Sequence, residues 1–116
     1  MKKLNKNIFT AIIITLFLQG IFPQAKTAFQ YYSEGLTAQN EESWYEASQH
    51  FMEAIQKNPV YGDAWFHLAQ CSYQLGEFDL TLTQLDEAEK YSRGANSINN
   101  LRGMTYIAMQ EFSKAR

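Results

Sequence analysis

The side chains with the greatest capacity for chemistry in this chain are His67 and Cys71, which stand four positions apart. On a helix that spacing places both on one face, where an imidazole and a thiolate could ligate a metal ion or form a redox site. A tetrahedral metal site needs two more ligands close by, and the other histidine, His50, belongs to a different helical segment. Cys71 therefore reads as a small buried apolar residue, and His67 as a residue at a groove edge or between helices. Glu41, Glu42 and Glu46 could be offered as paired carboxylates for acid–base work. Their flanks, Asn40 and Ser43, are polar corner residues, which makes a solvated turn the better reading. Asp86, Glu87 and Glu89 are expected on an outer, solvated helical face. The chain carries no G-x-S-x-G, no phosphate-cradling glycine loop and no H-E-x-x-H. Neither an enzyme nor a resident cofactor or metal is expected.

The elements that position these residues must come from a short chain, because 116 residues leave room for one small domain. The first 25 residues are not expected to join it. Lys2, Lys3 and Lys6 precede an apolar run from Ile8 to Leu18, followed by Phe22-Pro23-Gln24-Ala25. A basic start, an uncharged apolar stretch and a small residue beside a helix breaker make a secretory signal, with cleavage after Ala25. The alternative is a retained membrane anchor over residues 8–22, although the apolar segment is shorter than the roughly 20 residues that span a bilayer. Export, to a bacterial periplasm or cell envelope, is the expected destination. Without Lys2, Lys3 and Lys6 the remainder has 7 basic against 12 acidic residues, a net charge of −5. That balance excludes nucleic acid, whose binding depends on neutralising phosphates, and leaves the N-terminal segment as the sole expected membrane contact. One cysteine cannot build a disulfide framework, so residues 26–116 must be held by their core.

An internal repeat sets the architecture. Gly35, Ala69 and Gly103 stand 34 residues apart, as do Trp44, Phe78 and Phe112, and Ala47, Thr81 and Ala115. Phe51 with Leu85, Ala54 with Ala88 and Tyr31 with Trp65 keep the same step. Each unit holds two helical runs. Trp65, Leu68, Ala69 and Ser72 share one face before Leu75-Gly76-Glu77 breaks the run, and Phe78, Leu82, Leu85 and Ala88 resume it. Tyr31, Gly35 and Ala38, then Trp44, Ala47, Phe51, Ala54 and Ile55, repeat this in the first unit. Asn58-Pro59 closes that unit, and Gly62-Asp63 is expected to cap the next helix. Small residues at the crossings admit close approach by a facing aromatic, and stacked pairs share one continuous core.

With these residues the chain resembles the tetratricopeptide repeat family. The second unit, 62–95, carries the resemblance best through Ala64-Trp65, Leu68-Ala69, Leu75-Gly76-Glu77-Phe78, Leu85 and Ala88. The first, 28–61, matches at Gly35, Trp44, Ala47, Phe51, Ala54 and Pro59, and the incomplete third, 96–116, at Gly103, Tyr106, Phe112 and Ala115. Glu34 and Arg102 stand where the family prefers Leu, Ser72 where it prefers Tyr, Thr81 where it prefers Ala, and Arg93 where it prefers Pro. The resemblance implies an all-α fold, an α-solenoid of antiparallel helix pairs in a TPR-like superhelix of about two and a half repeats. Glu111 is expected to open the second helix of the third unit, leaving an uncovered apolar face of Ile98, Tyr106 and Met109, as in a fragment of a longer array.

The resemblance also implies a function: binding a protein or peptide partner in a concave groove lined by the first helix of each pair. The implied lining is Phe29, Tyr32, Ser33, Leu36 and Gln39 from the first unit. The second supplies Asp63, Phe66, His67, Gln70, Tyr73 and Gln74, and the third Ser97, Asn100, Leu101, Met104 and Ile107. The foremost candidates are Tyr32, Leu36, Gln39, Phe66, Gln70, Tyr73, Gln74, Asn100 and Met104. Some members of the family clamp a peptide's terminal carboxylate with Lys, Arg and Asn. The matching positions here hold Tyr32, Leu36, Phe66 and Gln70, so an apolar or amphipathic segment across Tyr32, Phe66 and Tyr73 is the better fit. Two alternatives stand: that these aromatics only pack between units, and that the repeats are a structural segment positioning other domains.

Overall fold

The computed structural model describes residues 5–21, 24–92 and 94–115. The basic residues Lys2 and Lys3, the Phe22-Pro23 step and the Arg93 departure lie outside the described residues. Within them the chain forms six helices and no strand: α1 (Lys6–Leu18), α2 (Ala28–Asn40), α3 (Trp44–Lys57), α4 (Gly62–Gln74), α5 (Phe78–Tyr91) and α6 (Ala95–Lys114). The helices α2 to α6 pack each on the next in chain order, and α2 and α6 also touch α4. This is the α-solenoid that the 34-residue register implies. Helix α1 packs on none of the others, and its apolar side chains lie exposed. None of the helices among the described residues is long and apolar enough to cross a membrane.

Local chemistry explains the boundaries. Thr27 and Gln30 form a reciprocal capping box at the start of α2. The turn after α2 places Glu42 at φ 58°, and the turn after α4 places Gly76, one repeat later, at φ +77°. The equivalent residue, Gln110, stays helical, so α6 runs unbroken for 20 residues instead of turning at Glu111. A left-handed corner costs a non-glycine residue about 1–2 kcal/mol, and among the described residues no helix folds back after Gln110 to offset it. The expected cap at Gly62-Asp63 is also corrected. Tyr61 is the N-cap of α4 and makes no side-chain cap bond, while Asp63 sits in the first turn, where it favours the positive helix end. Gly62 is small for another reason: a Cβ there would lie 2.7 Å from the Tyr91 backbone and the Ser92 side chain, at the close of α5.

Two apolar clusters form the core. Ala38, Ala47, Phe51, Leu68 and Cys71 make the first, flanked by Tyr32, Leu36, Trp44, Ile55 and Trp65. Ala69, Leu85, Ala88, Ile98 and Leu101 make the second, flanked by Trp65, Phe66 and Tyr73. Trp65 bridges them, and its indole N–H donates to the Pro59 carbonyl at 2.9 Å. Ile98 is thus buried against the second pair and not left uncovered, whereas Tyr106 and Phe112 are exposed. Cys71 is fully buried, and burial pushes its thiol up to about 12.

The departures from the resemblance are accommodated by polar partners. Glu34 meets Lys26 at 2.6 Å and His50 at 3.3 Å, and Arg102 reaches Asp86 at 3.1 Å and Glu89 at 2.9 Å. Asp86 and Glu89 are therefore exposed residues that tie α5 to α6. The buried Ser72 hydroxyl donates to Gln84 at 2.7 Å across the second pair, and the Thr81 hydroxyl donates to the Glu77 carbonyl at 2.8 Å. Each satisfies a buried group that would otherwise cost about 1–3 kcal/mol.

The column of small residues makes a two-sided prediction. A Cβ at Gly35 would lie 2.6 Å from the fully buried ring of Phe51, whereas one at Gly103 meets nothing within 4 Å. Gly35→Ala should destabilise by about 1–3 kcal/mol through overpacking. Gly103→Ala should stabilise by about 0.5–1 kcal/mol through helix propensity. Urea unfolding followed by circular dichroism distinguishes the two; equal effects would contradict the packing described.

Candidate functional site

The first helices of the three units, α2, α4 and α6, lie side by side and form one face. There a cavity of about 400 Å³ opens between them, within the range usual for ligand clefts. Gln39 from the end of α2 and Trp44 from the start of α3 close one side. Phe66, Gln70, Tyr73 and Gln74 form the floor from α4, at the three- and four-residue steps that put side chains on one helix face. Ser97, Asn100, Leu101 and Met104 line the far wall from α6.

Seven of the nine foremost candidates from the sequence meet here: Gln39, Phe66, Gln70, Tyr73, Gln74, Asn100 and Met104. Tyr32 and Leu36 do not. Both are half-buried against the first core cluster, and the Tyr32 ring lies 5.8 Å from Phe51, 5.0 Å from Tyr61 and 5.7 Å from His67. Burial, aided by Asp63 and Tyr61, raises the Tyr32 phenol above its ordinary value. Tyr32 thus serves packing between units, and the aromatic strip expected from Tyr32 to Tyr73 is divided. Phe29 and Ile107 are exposed and lie outside the cavity. Trp44 is the lining residue that sequence reasoning assigned to the core alone. Its place straight after the α2–α3 corner was the available signal, because a residue there borders the groove end of α2.

His67 sits behind the floor. Its ring stacks on Phe51 at 5.5 Å and meets Tyr32 and Phe66 edge-on at 5.7 and 5.6 Å. Nδ1 lies 2.8 Å from Gln39 Oε1, and Gln39 Nε2 donates to Gln70 Oε1 at 3.0 Å. A line of hydrogen bonds thereby runs from the core to the cavity. Burial lowers the His67 pKa below its ordinary 6.5, against the opposing pull of Asp63 and the Gln70 amide. No group of three or more His, Cys, Asp or Glu side chains among the described residues is placed to hold a metal ion. The lining holds amides, a hydroxyl, three aromatics, Leu and Met, and no charged side chain. It offers binding contacts and has no nucleophile–base pair.

Fold and groove together define a helix-pair solenoid of the tetratricopeptide type. No protein-family model matches the chain, and no curated protein does. Among solved structures, the chain is similar to the first TPR of Spaghetti (RPAP3), determined bound to the HSP90 peptide SRMEEVD. The two share 16% sequence identity at a TM-score of 0.68, over 79% of this chain and 73% of that one. At that identity the likeness speaks for the fold.

The depressed His67 pKa has a consequence for stability. The unfolded chain takes up a proton near pH 6.5, whereas the folded chain holds the ring neutral to lower pH. The contribution is complete above about pH 6.5 and is lost as pH falls through the folded value. The melting temperature should therefore decline between about pH 7 and pH 5, and His67→Asn should flatten that portion of the profile. Parallel profiles for the two proteins would count against the buried neutral ring.

Proposed function

We propose that this chain is an exported scaffold that binds a protein or peptide partner in the groove between α2, α4 and α6. The observation that carries the reading is the juxtaposition of Phe66, Tyr73, Trp44 and Met104 with the uncharged polar side chains of Gln39, Gln70, Gln74, Ser97 and Asn100 in one open cavity. Half-buried aromatics that gain further burial dominate interface energetics. The structurally similar TPR domain is itself peptide-bound, which supports a polypeptide as the occupant. The site offers no pairing of groups for catalysis, and the scaffold acts by holding its partner.

Export rests on the N-terminal segment. Lys6 opens an apolar helix that packs on none of the other helices among the described residues, and Ala25 lies among the exposed non-helical residues 24–27 ahead of α2, which suits the cleavage site of a secretory signal. Uncleaved, the same helix would tether the repeats at a membrane surface. A second reading, a structural segment that spaces or docks other domains, draws on the exposed Tyr106, Ile107 and Phe112 of α6, which another element could cover.

The test for the first reading is capture of the partner from the exported fraction by the full chain and by Phe66→Ala/Tyr73→Ala. Two anchors at roughly 1–2 kcal/mol each should weaken capture by at least about tenfold, with helical content largely kept. Undiminished capture would rule out the groove. Mass spectrometry of the exported chain should show a new terminus at Lys26.

A further inference from the structure

Resting on that peptide-binding reading, we propose that the groove takes an uncharged segment in extended conformation, held by its main chain, with His67 as the positioning residue that aims the Gln70 amide at it. The polarity follows from two hydrogen bonds. Gln39 Oε1 lies 2.8 Å from His67 Nδ1 and accepts its proton, which leaves the Gln39 amide nitrogen to donate to Gln70 Oε1 at 3.0 Å. Gln70 Oε1 is thus engaged, while its amide nitrogen donates to no group among the described residues and is left to a ligand in the cavity that Gln70 lines. A carbonyl oxygen is its natural partner. The Phe51, Tyr32 and Phe66 rings around His67 hold the start of this relay against rotation.

The conformation of the occupant follows from spacing. Gln70 and Gln74 are one turn apart on α4, about 6 Å along its axis. Main-chain groups on one side of an extended chain recur every second residue, about 6.6–6.8 Å. A helical occupant has already used its main-chain groups internally and would leave these amides without partners. Asn100 and Ser97 on the α6 wall make no side-chain hydrogen bond among the described residues, so an extended main chain can be read from both sides. Trp44, Phe66, Tyr73, Leu101 and Met104 receive its apolar side chains.

The charge of the occupant follows from what the lining lacks. With no Lys, Arg, Asp or Glu around the cavity, a charged side chain or a terminal carboxylate entering it would lose water and find no counter-ion. An acidic segment is further disfavoured by the net charge of −5 outside the N-terminal lysines.

The experiment is selection of phage-displayed random peptides on the full chain, followed by fluorescence titration of synthetic winners, with Trp44→Phe identifying the signal from the groove. Uncharged winners that bind equally well with the C-terminus free or amidated are the expected result. Replacing one central peptide bond by an alkene isostere should weaken them about tenfold, the upper range for one neutral hydrogen bond. His67→Leu should weaken them by a similar factor, while His67→Asn, which keeps a donor near the Nδ1 position, should restore binding to within about threefold. Winners that need a Lys, an Asp or Glu, or a free carboxylate would keep a peptide-binding groove but overturn this occupant. Equal loss in His67→Leu and His67→Asn would overturn the positioning role. Winners indifferent to Phe66→Ala/Tyr73→Ala, or none at all, would overturn both the occupant and the groove reading. Concentration-dependent dimers dissolved by that double variant would make a second copy the occupant and likewise overturn the proposal.

Discussion

The contact between the Phe51 ring and the bare backbone of Gly35 sets the distance at which α2 and α3 cross, and most other features follow from that distance. The ring would lie within 3 Å of any Cβ placed there, so the two helices are as close as their backbones and one aromatic permit. Ala69 and Leu85 play the corresponding parts in the second pair, both fully buried. A close crossing in each hairpin turns its second helix toward the next unit, lets α4 reach back to α2, and lets α6 lie beside α4. The groove is the outward side of that arrangement. Its walls are backed by core residues, Leu68, Ala69, Cys71 and Ile98.

The distribution of charge separates structure from binding. Every ion pair among the described residues lies away from the cavity lining, on Glu34, His50, Arg102, Lys90, Lys114 and their partners. Two of these, Glu34 and Arg102, occupy one column of the repeat, whose third member is the buried Leu68. A buried position in the middle unit becomes a half-exposed one in the flanking units, where a long charged side chain can reach partners on the adjacent helix. The groove interior, by contrast, is governed by hydrogen-bond direction and apolar area, which are short-range and insensitive to salt.

The architecture was legible because its signal is periodic: a 34-residue step in residue size survives even where individual residues depart from the pattern. The corner at Glu42 and Gly76 was legible for the same reason. The continuity of α6 was not, because the register marks Gln110 as a corner while the decision to turn rests on tertiary contacts that a period does not encode. The residues expected on α4 and α6 do gather around one cavity, because helical spacing puts them on one face, whereas Tyr32 and Leu36 pack against the first core cluster. The His67–Gln39–Gln70 relay could not be read from spacing, since it depends on where two amides fall across two units.

Contacts that run between helices adjacent or next but one in the chain carry a kinetic consequence. Each hairpin closes over a three- or four-residue turn, and the longest-range packing joins alternate helices. Chains with such local topology reach the native state without a slow search for distant partners, and repeat arrays can nucleate in any unit and propagate to the next. The α2–α3 hairpin has its capping box and its Phe51–Gly35 contact in place before α4 needs to exist. During synthesis from the N-terminus it can therefore form first and serve as the template on which the later helices assemble.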